Sequence, residues 1–129
     1  MTLLEKLEQR ISENLVSIHQ ERRMIQAHRA ALCFLRSNTL KIHDICTHTM
    51  NQDTALVQIV RFNETYIYCD MLTSNHDVQG RSAISTVWYT DLVKGISVLK
   101  PVKKEDLALY VGMKWIAPKF ESMCRKSPV

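Results

Sequence analysis

Glycine and proline are scarce in this chain. Its 129 residues include three of each, and neither occurs before Gly80. Collagen-like, linker-like and low-complexity material is thereby excluded. No run approaches the ~20 apolar residues of a membrane span, so no membrane partner is expected. The glycines are isolated, so neither G-x-x-x-x-G-K-[ST] nor G-x-G-x-x-G can cradle a phosphate, and there is no G-x-S-x-G. The cysteines, Cys33, Cys46, Cys69 and Cys124, show no metal-ligand or redox spacing. Adjacent carboxylates occur only at Glu105-Asp106, which a helix N-terminus explains. These absences predict a protein that is not an enzyme and carries no cofactor.

What is present is enough for a core. Hydrophobic residues make up 46% and charged residues 23%, so a chain of this length can bury a core without disulfides or metal. One domain over residues 1–129 is expected. Seventeen basic side chains against thirteen acidic leave a net +4, unevenly placed. Residues 1–37 are net +2, residues 38–102 net −1 and residues 103–129 net +3. An electrostatic partner would therefore meet the ends. Met1 leads directly into a charged amphipathic run without a basic-then-apolar leader. The expectation is a reduced, cytoplasmic protein with free thiols, most of them buried.

A heptad is the strongest pattern. Good helix formers run from Thr2 to about Ser37, and Thr2 with Glu5 forms a T-x-x-E capping box. Leu4, Ile11, Ile18, Ile25 and Leu32 recur every seven residues, at position a. Position d reads Leu7, Asn14, Glu21, His28 and Leu35, apolar only at its ends. A strict seven-residue repeat favours a left-handed coiled coil. An unbroken helix of this length, roughly 50 Å, exceeds the diameter of a compact domain of this size. Part of it must protrude, pair with a second copy, or break near residues 12–17. Leu3, Leu15, Met24 and Ala31 widen the apolar surface, which suits packing on the chain's own sheet. Both packings remain open at this point.

Residues 39–102 read as about five antiparallel strands. They are expected at 39–50, 54–62, 65–73, 82–90 and 96–102, with turns at 51–53, 63–64 and 91–95 and a loop at 74–81 around Gly80. In 65–73, Ile67, Cys69 and Met71 share one face, and Tyr66, Tyr68 and Asp70 the other. Such a run makes a meander or a small barrel. The stretch Trp88-Tyr89-Thr90-Asp91-Leu92, followed by Val98-Leu99-Lys100-Pro101-Val102, resembles the last strands of an SH3-like barrel. That resemblance extends over residues 40–102, lacks the glycine usual between the first strands, and implies a shape without choosing a function. Residues 103–110 suit a short helix, and the tail from Lys119 is expected to fray. The fold class predicted is α+β.

Candidate chemistry is limited. His43, Cys46 and His48 lie close in sequence, but on a strand His43 faces away from the other two. A tetrahedral metal site would need Cys69 or His76 in addition. Cys46 reads better as a small buried apolar residue, and no metal is expected. Two basic sets stand out. Arg22, Arg29 and Arg36 share the e column beside the seam, with Arg23 adjacent. Lys103, Lys104, Lys114, Lys119, Arg125 and Lys126 interleave with Tyr110, Trp115 and Phe120. Either set suits phosphate or single-stranded nucleic acid, and equally a solvated face. The primary expectation is a small interaction protein of regulator, adaptor or inhibitor type. It would bind another protein, and itself as a homodimer, through Leu4, Leu7, Ile11, Ile18, Ile25, Leu32 and Leu35. The alternative is a nucleic-acid-binding module using the two basic sets.

Overall fold

The computed structural model describes residues 2–76 and 84–125. With no helix breaker in its path, the first segment forms one 35-residue helix, α1 (Leu3–Ser37), about 52 Å long at 1.5 Å per residue. Thr2 caps it, its hydroxyl accepting from the Glu5 amide at 3.2 Å. The alternative break at residues 12–17 does not occur. At the other end the Ser37 hydroxyl donates to the Cys33 carbonyl at 2.9 Å, and Asn38 turns extended.

Strands β1 (Ile45–Met50), β2 (Asp53–Phe62), β3 (Tyr66–Ser74) and β4 (Ile84–Trp88) form an antiparallel meander. Strand β5 (Ser97–Pro101) returns to pair with β1, giving the order β4-β3-β2-β1-β5. The sheet curls into a half-barrel. A two-residue strand, β6 (Trp115–Ile116), joins the end of β3. The β1–β2 hairpin turns through Asn51 and Gln52, both at positive φ, the mirror-image turn that matches strand twist.

Several boundaries differ from the expected ones. Residues 39–44 are not strand: the Asn38 side chain accepts from Leu40, the Asp44 carboxylate accepts from Lys41, and His43 is left-handed at φ 76°. These local side-chain bonds tie the segment into turns, and the ladder to β2 persists only as the backbone bonds of His43 and Asp44 with Ile59. Tyr89 and Thr90 leave the strand and begin α2 (Tyr89–Lys94), so the expected turn at 91–95 is the rest of that helix. Gly95 ends it at φ 76°, its amide bonded back to the Asp91 and Leu92 carbonyls. The short helix expected at 103–110 is a 3-10 helix over Lys104–Tyr110. The tail from Lys119 does not fray at once: it forms α3 (Pro118–Arg125), anchored by a fully buried Phe120. Most of the loop expected at 74–81, with Gly80, the first residues of the strand expected at 82, and residues 126–129 lie outside the described residues.

Two clusters of buried residues cover opposite faces of the sheet. One joins Cys46, Val57, Ile59, Ile67, Cys69 and Val87 to Tyr89 of α2 and to Ala30 and Ala31 of α1. The other joins Leu56 and Leu72 to Phe120 of α3, with Leu107 and Tyr110 of the 3-10 helix against them. Ile67 and Cys69 point inward as expected. Met71 is only half-buried; next to it a register shift between Leu56 and Val57 leaves Leu72 as an extra residue, and its side chain fills the second core.

Candidate docking surface on the N-terminal helix

Helix α1 meets its own body through a narrow face near its C-terminal end. Ala30 and Ala31 are buried there, and Ala27 and Phe34 are half-buried. Their spacing puts them on one side of the helix, and the alanines permit close approach. The Phe34 ring lies 5.7 Å from that of Tyr89, whose hydroxyl donates to the Asn63 carbonyl at 3.0 Å. Residues 3–26 are exposed throughout.

In heptad terms the body covers positions c, f and g, and the a and d positions point away from it. Leu4, Leu7, Ile11, Ile18, Ile25, Leu32 and Leu35 are each 44–66% exposed. The chain therefore leaves its seam uncovered along the whole helix. Of the polar d residues, His28 reaches the body: its Nε2 lies 3.7 Å from a Glu64 carboxylate oxygen. Met24 and residues 61–66 border an open groove beside it.

The two basic sets are not brought together. Arg22, Arg23, Arg29 and Arg36 are exposed on α1, which packs on the first core, whereas residues 103–119 belong to the opposite face of the sheet. Lys103, Lys104 and Lys114 are exposed. Lys119 pairs with the Asp70 carboxylate at 3.0 Å, and Trp115 is half-buried where β6 meets Ser74.

Cys46 and Cys69 are arranged as core residues, and His48, two residues after Cys46, is half-buried. Burial, with Asp44 adding, pushes the Cys46 thiol up to about 12. Burial does the same to Cys69, helped by Cys46 and Asp70, also to about 12. Neither is poised as a nucleophile at neutral pH. Cys33 is exposed and Cys124 half-buried, so two of the four thiols are buried rather than most of them. Burial lowers the pKa of His48, with Asp91 opposing, and its Nε2 has no hydrogen-bond partner among the described residues. His76 Nε2 lies 2.6 Å from Asp53. Among the described residues no three metal-capable side chains gather.

A feature not singled out from sequence is an aromatic patch across β2–β4. Tyr66 and Trp88 are cross-strand partners with rings 5.2 Å apart, and the Arg61 guanidinium sits 4.7 Å over Tyr68. The alternation of Tyr66 and Tyr68 with Ile67 and Cys69 is the signal that carries it. Among the described residues no helix is long and apolar enough to cross a membrane. No family model and no curated protein matches this chain.

Proposed function

We propose that the protein is a non-enzymatic interaction protein, of regulator, adaptor or inhibitor type, that docks through the a/d seam of α1 and pairs there with a second copy of itself. The observation that carries this reading is an unbroken apolar a column, flanked by leucines at both ends of the d column, that faces away from the chain's own body. A solitary helical stretch with no tertiary packing is only marginally stable in water. The seven apolar seam residues leave roughly 700 Å² uncovered per protomer, close to the ~800 Å² that each partner gives to a stable interface. Free thiols, two of them buried in the core, suit a reducing cytoplasmic setting. Sedimentation equilibrium tests the pairing. A mass twice 15.0 kDa at micromolar concentration is expected, and a folded 15.0 kDa species at high micromolar concentration overturns it.

A second reading, nucleic-acid binding, draws on the exposed arginine column. Arg22, Arg29 and Arg36 make no ion pair among the described residues. Such a column can follow phosphates, but it can also meet acidic side chains of a paired helix. The separation of the two basic sets favours the first reading.

A further inference from the structure

The pairing proposed above leaves the direction of the two helices open, and the side chains along α1 choose it. Resting on that reading, we infer that the two copies of α1 run antiparallel over their full length.

In a parallel pair each d residue meets its own copy. Glu21 would then face Glu21 in one desolvated layer, with like charges adding to the cost of burying each. Asn14 and His28 would likewise meet themselves. In a fully overlapped antiparallel pair, position a of one helix faces position d of the other. The layers become Leu4 with Leu35, Ile11 with His28, Ile18 with Glu21, Ile25 with Asn14, and Leu32 with Leu7. Each polar d residue then lies against an isoleucine, past which its polar end can reach water. Leucine closes both ends of the seam.

Charge along the helix points the same way. The first half, residues 3–19, holds Glu5, Glu8 and Glu13 against Lys6 and Arg10, net −1, and the second half, residues 20–37, holds Arg22, Arg23, Arg29 and Arg36 against Glu21, net +3. A parallel pair sets each half on its like. An antiparallel pair sets the acidic half on the basic half, and in the e column brings Glu8 of one helix beside Arg29 of the other.

The body supplies a third, independent mark. Glu64 stands at the seam beside His28, on a side chain otherwise open to solvent. In the antiparallel register the g-column Arg10 of the second copy arrives at that level. In a parallel pair it lies 18 residues away, about 27 Å along the axis. The hairpin between β2 and β3 thus offers a carboxylate to the second copy in one orientation only.

Disulfide trapping in the full chain tests the direction, with Cys33→Ser and Cys124→Ser removing the thiols that are not fully buried. Leu7→Cys alone and Leu32→Cys alone, mildly oxidised, are expected to stay uncrosslinked. The Leu7→Cys/Leu32→Cys double variant is expected to crosslink nearly completely. Crosslinking of either single variant to itself shows a parallel pair and overturns the inference. An uncrosslinked double variant that still sediments at twice 15.0 kDa overturns it too, while leaving the dimer standing. A double variant that sediments at 15.0 kDa, as does the unmodified chain, overturns both readings. As a second readout, Arg10→Glu is expected to weaken the pair several-fold and Glu64→Arg in the same chain to restore it. A parallel pair would show no such rescue.

Discussion

Replacing Ile18 by Asp separates a seam that serves a second copy from one that serves the chain's own core. Ile18 is 44% exposed and lies in the stretch 3–26, every residue of which is exposed. In the isolated protomer the substitution is therefore a surface change, within about 0.5 kcal/mol. In the pair it acts twice. Each site forfeits the burial of about half an isoleucine, ~1 kcal/mol. Each also brings a carboxylate into the layer that holds Glu21 of the other copy, which costs further free energy. At least about 4 kcal/mol over two sites weakens association about a thousandfold. Sedimentation velocity over a dilution series measures that shift, and urea unfolding at low concentration measures the protomer. Unchanged association would refute the seam. A loss of several kcal/mol from the dilute protomer would refute its exposure.

Ile67→Ala should destabilise the protein by ~2–5 kcal/mol in urea unfolding, since the side chain is fully buried. Tyr68→Ala, on the opposite and half-buried face, should cost less; equal, near-zero losses would show the register to be wrong. Phe120→Ala should cost ~3–5 kcal/mol by the same assay, because α3 closes the second core. His48 is held neutral by burial, so the unfolded chain takes up its proton more readily than the folded one. Its contribution is full above about pH 6.5 and is lost as pH falls below that toward its lower folded value; His48→Gln should flatten this part of the stability profile. Replacing Arg22, Arg29 and Arg36 by Gln should leave only a small change in nucleic-acid binding near physiological salt. Submicromolar binding there that this variant abolishes would reverse the ranking of the two functional readings.

The parts of the fold legible in the sequence are those governed by periodicity. Thr2, Glu5 and an unbroken run of helix formers define α1, and the alternation around Ile67 and Cys69 defines β3 and its inward face. The misplaced boundaries fall where local side-chain bonds or tertiary contacts win. Residues 39–44 have strand-like composition, yet Asn38 and Asp44 bind nearby amides and tie the segment into turns. Trp88-Tyr89-Thr90 reads as strand, but Tyr89 turns inward to meet Phe34 and the chain coils until Gly95 releases it. The burial of Phe120 depends on Leu56 and Leu72, 64 and 48 residues earlier, a pairing that no local pattern reveals. The seam was visible as a heptad. Its freedom was not, because that depends on Ala27, Ala30, Ala31 and Phe34 taking the body on another face.

Amide hydrogen exchange over residues 3–26, followed against protein concentration, shows whether the seam of α1 pairs with a second copy. No residue of this stretch is buried among the described residues, so protection beyond that of a lone helix must come from association. Protection that rises with concentration, saturates, and disappears in Ile18→Asp is the predicted result. Exchange at the rate of an unstructured peptide at every concentration, or protection that does not depend on concentration, would show that the helix does not pair.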